Sequence, residues 1–409
     1  MTPRFEAPRG THDILPSEQP LWRWVTATME DVCRAYGYRP IQTPGIEDTD
    51  LIVRTSGEGS DVVQKETYTF PDRGGRSLTL RPEGTAPICR AYVEHGLHRE
   101  PQPQKLYTIG QFWRYDRPQK GRYREHWQLS VEAIGSDDPA IDAEVIKLYD
   151  ELLARLDVTD YVLKLNSIGD ANCRPAYVGA LMGWLMKHQS ELDEEARAKL
   201  ATSPLRVFDV KSERMRRLLE DAPKIGDSLC DACREHFARL RGYLDALGVR
   251  YELEPTLVRG LDYYTRTTFE FQDAAIGAQS VICGGGRYDG LVEAIGGPPT
   301  PGIGFGAGIE RLLLSVGERE LPRDEIDCFF IVEEGADRPQ VIATMAALRA
   351  RGLACDTDYA GRSKKGQLTQ ASRLGAKTTV IVDAEGARIV RPGGDEPTSL
   401  DRLAASLGA

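Results

Sequence analysis

Nowhere in its 409 residues does the chain hold an apolar run near the ~20 residues that a membrane-crossing helix needs, so no membrane role is expected. The opening MTPRFEAPRG lacks the apolar core of a signal sequence, and the expected compartment is the cytosol. No low-complexity tract points to a disordered tail. Eight cysteines are scattered without secretory context, so free thiols are the default. Cys230 and Cys233 are closely spaced, with His236 just beyond. No second CxxC or HxxxH lies nearby to complete a tetrahedral site, so a plain helical segment and no metal are expected there. CGGGRYDGL is no P-loop, because no Gly-Lys-Ser/Thr follows it. PGIGFGAGIERLLL fails the dinucleotide fingerprint, since Ala307 and Ile309 stand where its third glycine would be. Excess positive charge is missing too: the net charge of −10 argues against coating of nucleic acid by the whole surface.

What is present is a chain long enough for two or three domains, with ordinary globular proportions of 41% apolar and 28% charged residues. Its most informative stretch, Leu106 to Gly135, reads as two strands joined by a basic loop. In the second strand Trp127, Leu129, Val131 and Ala133 alternate with Gln128, Ser130 and Glu132, which predicts one core face and one polar face. A polar face inside an apolar sheet is costly unless solvent or a ligand bonds it, so it is read as the floor of a pocket. The loop carries Arg117, Lys120, Arg122 and Arg124 against Asp116 and Glu125. Alone, such a loop is a solvated hairpin tip. Arg114, on the strand just before it, presents a planar fork suited to two phosphate oxygens.

A helix is expected from about Ser17, its candidate cap, to Ala35, with Gly37 ending it. Leu78 and Leu80 alternate with Thr79 and Arg81, and the strand runs into a turn that presents Glu83 and Thr85. This pair suits an amine, although Thr85 reads equally well as the cap of the helix APICRAYVEH. Asp137 to Leu156 is an amphipathic helix, and YVLKLNSIGD a strand. Charged helical periodicity then continues to about Gly248, after which strand texture resumes, as for an inserted helical module. Arg259, Asp262, Tyr263, Tyr264 and Arg266 crowd a turn at Gly260. Gly302, Gly304, Gly306 and Gly308 fall on one strand face, a flat floor for a planar ring, with Arg311 at the helix start behind it. From about Arg323 strand and helix alternate as in a small α/β domain. Its stretch from Gly361 to Lys377 holds Arg362, Lys364, Lys365, Arg373 and Lys377 without an acid, a confined basic patch suited to gripping a polyanion.

Taken together, IQTPGIEDTDL, FWRYD with RPQKGRYRE, and GIGFGAGIERLLL resemble motifs one, two and three of the class II aminoacyl-tRNA synthetases. LVRGLDYYTRTTFEF and GGGRYDGL resemble stretches specific to the histidyl-tRNA synthetase family. The resemblance spans nearly the whole chain. It implies an α+β fold with a six-stranded antiparallel catalytic sheet flanked by helices, a helical insertion and a C-terminal α/β anticodon-binding domain. The corresponding segments are 1–170 and 251–322 for the catalytic domain, 171–250 for the insertion and 323–409 for the last domain. A homodimer with motif one at the contact is also implied.

The reaction implied is ATP-dependent activation of L-histidine, with Mg²⁺, then transfer to histidine tRNA. By the resemblance, Arg114 and Arg259 attend the α-phosphate and the attacking carboxylate, and Arg311 and Arg122 the outer phosphates. Glu83, Thr85 and Gln128 take the ammonium end, while Glu132 and Tyr264 take the imidazole nitrogens with Tyr288 close by. Tyr263 reads as core packing and as ligand contact alike. His126 stands where the family places an adenine-stacking Phe. Arg362, Lys364, Lys365 and Arg373 would contact tRNA. The rival is the noncatalytic regulatory subunit of ATP phosphoribosyltransferase, which shares the catalytic core but lacks the C-terminal domain and the Arg259-type stretch, both kept here.

Overall fold

The computed structural model describes residues 5–57, 60, 62–202, 204–210, 212–321, 325–390 and 394–403. Two compact units, Met1–Arg319 and Glu320–Ala409, divide the chain. The boundary expected near Arg323 falls outside the described residues.

The first unit is built on strands β1 (Gln104–Trp113), β2 (Glu125–Ile134), β3 (Val162–Ser167), β4 (Thr265–Gln272), β5 (Val281–Arg287) and β6 (Gly302–Gly308). They lie in the order β1-β2-β6-β5-β4-β3, antiparallel throughout. The six antiparallel strands expected are therefore present, and a two-residue parallel strand extends each edge, Arg39–Pro40 beside β1 and Glu252–Leu253 beside β3, to make eight. The alternation in β2 is realised: Leu129, Val131 and Ala133 enter the main core and Trp127 packs against it. Ser130 and Glu132 are buried on the other face.

Helix α1 (Gln19–Ala35) buries Trp22, Val25, Met29, Val32 and Cys33. Its N-cap is Glu18, not Ser17, and the Glu18 carboxylate accepts the Leu15 N–H at 2.9 Å instead of a helical one. Helix α2 spans Thr85–Glu94, and α3 spans Pro139–Arg155 with the Asp138 side chain accepting from Ala140 N at 3.0 Å. Between β3 and the Glu252–Leu253 edge run α4 (Arg174–Lys187), helices Glu194–Thr202 and Glu213–Leu219, and α5 (Asp231–Ala246). These enclose a core of their own around Tyr177, Leu181, Leu185 and Met215. Helix α5 belongs to both cores: Cys233 near its start lies in the helical one, and Leu240 and Leu244 farther along lie in the main one. The last helix of this unit, α6 (Ile309–Val316), follows β6 directly.

In the second unit a five-stranded sheet has a parallel centre, Cys328–Val332 between Cys355–Thr357 and Thr378–Asp383, extended by two antiparallel strands. Helices α7 (Arg338–Ala350) and α8 (Lys364–Arg373) accompany it. Among the described residues no helix is long and apolar enough to cross a membrane.

Candidate active site

One cleft in the first unit, about 870 Å³ with its open mouth included, takes side chains from segments far apart in the chain. Arg114, Arg122, Arg259 and Arg311 all line it. Each is held by part of its guanidinium. Arg114 Nε donates to Pro82 O at 2.7 Å, and Arg311 donates to Gly121 O at 3.0 Å and Val281 O at 2.7 Å. Arg122 forms two bonds to Asp116 at 2.6 and 2.7 Å, while Arg259 pairs with Glu270. Burial lowers the pKa of Arg311, and the neighbouring Arg122 and Arg114 lower it further. For Arg311 the crowding of cations opposes its own charge, which a bound polyanion would relieve.

His126 lines the same cleft. Burial, then the charges of Arg114, Arg311 and Arg122, drive its pKa down to about 3, so its ring is neutral and offers a flat face. Glu310, which sequence reasoning missed, also lines the cleft, and its carboxylate accepts Trp127 N at 2.8 Å. Burial lifts its pKa to about 7 against the Trp127 N–H. The missed partner of Arg259, Glu270, carried a readable signal, since TFEF places it opposite two buried phenylalanines in β4.

The same cleft is lined by Glu83, Thr85, Gln128, Tyr263 and Tyr264. The Glu83 carboxylate, not Thr85, caps α2, accepting Thr85 N at 2.6 Å and Ala86 N at 2.8 Å. Burial raises the Glu83 pKa, and those two N–H groups and Arg114 restrain the rise. Thr85 instead donates its hydroxyl to Glu132 at 2.7 Å. Glu132 accepts Tyr288 OH at 2.5 Å as well, and both residues are buried immediately behind the cleft wall rather than on it. Burial pushes the Glu132 pKa up to about 8, partly offset by the Tyr288 and Thr85 hydroxyls. Tyr263 and Tyr264 pack with ring centroids 4.6 Å apart, and Tyr263 also touches the core under α2.

The glycines of β6 do a different job from the one expected. A Cβ at Gly302 would meet the Tyr288 ring at 2.3 Å, at Gly304 the Glu132 carboxylate at 1.9 Å, and at Gly306 the Gln128 amide at 2.7 Å. The chain's own side chains fill the floor, and only Gly306 and Gly308 face the cleft. Gly284 does the same for Arg259, whose Nη2 lies 2.3 Å from where a Cβ would be.

Arg287 and Asp289 of the GGGRYDGL stretch lie outside this cleft. Arg287 is fully buried against Asp142 of α3, which also accepts Thr267 Oγ1 at 2.7 Å. His236 turns to the same Asp142 at 3.6 Å, away from Cys230 and Cys233. In the second unit the acid-free run meets acids by folding: Arg362 pairs with Asp358 at 2.5 Å, Lys364 with Glu333 at 2.5 Å and Lys377 with Asp327 at 3.0 Å. Lys365 and Arg373 are exposed and show no ion pair among the described residues.

The family profile described as Histidyl-tRNA synthetase matches residues 10–312. The chain is 48% identical over 383 residues to a protein of Caldanaerobacter subterraneus named Histidine–tRNA ligase, covering 93% of this chain and 92% of that one. A Dehalococcoides mccartyi protein of the same name is 44% identical over 98% of this chain and 99% of its own. The crystal structure of apo S. aureus histidyl-tRNA synthetase superposes with a TM-score of 0.82 at 36% identity, over 99% of this chain and 100% of that one. A Bacillus halodurans structure, described as an ATP phosphoribosyltransferase regulatory subunit/histidyl-tRNA synthetase, shares the fold at a TM-score of 0.66 and 22% identity, over 93% of this chain and 99% of that one. The chain belongs to the histidyl-tRNA synthetase family.

Proposed function

We propose that this cleft binds ATP and L-histidine side by side and joins them as histidyl-adenylate, the first half of the histidine–tRNA ligase reaction. The histidine carboxylate oxygen forms a bond to the α-phosphorus as the bond from that phosphorus to the β-phosphate bridging oxygen breaks, and pyrophosphate leaves. Two anions must meet, so the chemistry asks for fixed positive charge around the α-phosphate. The observation that carries this reading is the convergence of Arg114, Arg122, Arg259 and Arg311 on one cleft that is also lined by acids, hydroxyls and an amide.

In this assignment Arg114 and Arg259 hold the α-phosphate and the attacking carboxylate, and Arg311 and Arg122 the outer phosphates. Neutral His126 stacks on the adenine. Glu83, Thr85 and Gln128 receive the ammonium group. Glu132 meets one imidazole nitrogen once the Thr85 hydroxyl yields, Tyr264 meets the other, and Tyr288 steadies Glu132. An acceptor and a hydroxyl on opposite ring nitrogens favour imidazole over apolar rings. Mg²⁺ accompanying ATP would supply charge to shield the outer phosphates. Carboxylate oxygens suit it, and because Asp116 is engaged by Arg122, Glu310 would hold the ion.

Transfer to the terminal ribose of histidine tRNA follows, with the second unit reading the anticodon through exposed Lys365 and Arg373 beside Arg362 and Lys364. The working form we propose is a cytosolic homodimer joined through the motif-one segment, where Ile46 is 45% exposed. Amino-acid-dependent ATP–pyrophosphate exchange across a panel of amino acids tests the first step. Exchange with histidine alone is expected. Absence of histidine-dependent exchange would favour a regulatory binding protein.

A further inference from the structure

We propose that Asp170, Cys173, Cys230 and Cys233 form a structural Zn²⁺ site that fastens the starts of α4 and α5 together beside the sheet. Their ligand atoms all lie within 4.8 Å of one another. Cys173 Sγ is 3.9 Å from Cys233 Sγ and 3.6 Å from Asp170 Oδ1, and Cys230 Sγ is 3.9 Å from the same oxygen. A tetrahedral Zn²⁺ with thiolate bonds of ~2.3 Å and a carboxylate bond of ~2.0 Å places sulfurs about 3.8 Å apart, and sulfur and oxygen about 3.5 Å apart. The observed separations of 3.6 to 3.9 Å match that geometry.

The sequence pattern agrees. Asp170-x-x-Cys173 and Cys230-x-x-Cys233 are two loops of the spacing that structural zinc sites use, with corresponding members 60 positions apart. Gly169 stands in the left-handed region at φ +65, and a Cβ there would lie 2.6 Å from Cys173 Sγ. The first loop closes tightly for this reason, and the Asp170 N–H donates to Cys173 Sγ at 3.4 Å. Cys173 and Cys230 are the N-caps of α4 and α5, so two helix N-termini face the anionic ligands. Three thiolates and a carboxylate would leave the site net negative, and Arg266 lies 3.5 Å from Asp170 Oδ2 to offset it. Asn172 N, at 2.9 Å from Asp170 Oδ1, fixes the carboxylate.

The ion would tie the first and last helices of the module at their common origin. Arg174, next to Cys173, donates to Tyr264 O at 2.6 Å, so the tie reaches the cleft wall. The test is metal content of the full-length chain, purified under reducing conditions from zinc-supplemented cells. One zinc per chain is expected, with near-complete loss in Cys230→Ser/Cys233→Ser. Because that variant could misfold, the wild-type chain is also stripped with a chelator and titrated with Co²⁺ alone. The intense visible bands of tetrahedral thiolate coordination should saturate at one equivalent, and Zn²⁺ should abolish them. A wild-type chain without stoichiometric zinc, a featureless cobalt spectrum, or a native mass two hydrogens light from a Cys173–Cys233 disulfide would each overturn the proposal.

Discussion

Replacing Arg259 with alanine should separate catalysis from folding in a way the structure makes quantitative. The guanidinium is sandwiched between Glu270, which it pairs with, and the bare backbone of Gly284. Burial opposes its charge, but the Glu270 carboxylate raises its pKa above the ordinary arginine value, so it is a permanent cation at the cleft. Removing one fixed charge from a developing anionic transition state costs about 3 kcal/mol, or roughly 100-fold in exchange rate. A second, unrelated cost arises because Glu270, 12% exposed, loses its partner. An unpaired charge at that depth destabilises on the order of 3 kcal/mol. Arg259→Ala should therefore lose both exchange and melting temperature. Arg259→Ala/Glu270→Gln should regain most of the melting temperature and none of the exchange, with ATP affinity nearly unchanged. The assay pairs ATP–pyrophosphate exchange at saturating histidine with thermal denaturation of the same samples. If the double variant regains exchange together with stability, Arg259 serves only to neutralise Glu270 and its catalytic assignment is wrong.

Three other outcomes are expected. Glu132 holds its proton up to about pH 8 in the folded chain against an ordinary value of 4.5, so the native state binds a proton that the unfolded chain releases. Its contribution to stability is complete below pH 4.5 and is lost as pH rises toward 8; Glu132→Gln should flatten that decline in melting experiments, and an unchanged slope would deny the raised pKa. Asp142→Asn removes the fully buried counter-ion of Arg287 and leaves it only the partly exposed Asp289 at 3.0 Å, which should cost about 3 kcal/mol in denaturant unfolding; a loss below about 1 kcal/mol would mean that Asp289 alone balances the guanidinium. Lys365→Glu/Arg373→Glu should weaken tRNA binding and lower its dependence on log salt by about two contacts while leaving exchange intact, and an unaltered salt dependence would mean these charges solvate a surface only.

How far the sequence could be read depended on whether the informative contact was local. The alternation in β2 needs only the pleat of one strand, and both faces fall as read, with Leu129, Val131 and Ala133 in the core and Glu132 buried opposite. The same local rule misjudged β6. It found one face of hydrogens but could not show that Tyr288, Glu132 and Gln128, all from other strands or loops, lie over Gly302, Gly304 and Gly306. Thr85 failed as a cap for a similar reason, because Glu83 two residues earlier reaches the helical N–H groups while the Thr85 hydroxyl is drawn to Glu132, 47 positions away. The basic run after Gly361 is acid-free only within its own bounds: Asp358 pairs with Arg362 from four residues back, while Asp327 and Glu333 reach Lys377 and Lys364 from the ends of a neighbouring strand.

The cysteine cluster is the sharpest instance of that limit. Cys233 and His236 lie one turn apart and are both buried, so local spacing groups them. One turn is about 5.4 Å of rise, however, and it carries His236 past the start of α5 to Asp142 on α3. The thiols stay at the helix start, where the chain returns from a long excursion to meet the loop it left at Asp170. The decisive ligands are thus the pair a window on the CxxC never contains, and Asp170 is disguised further by standing at a position where a thiol would have announced a second CxxC. Folding requires that excursion to close, so whatever bonds the two loops together acts on the helical module as a whole and not on one helix.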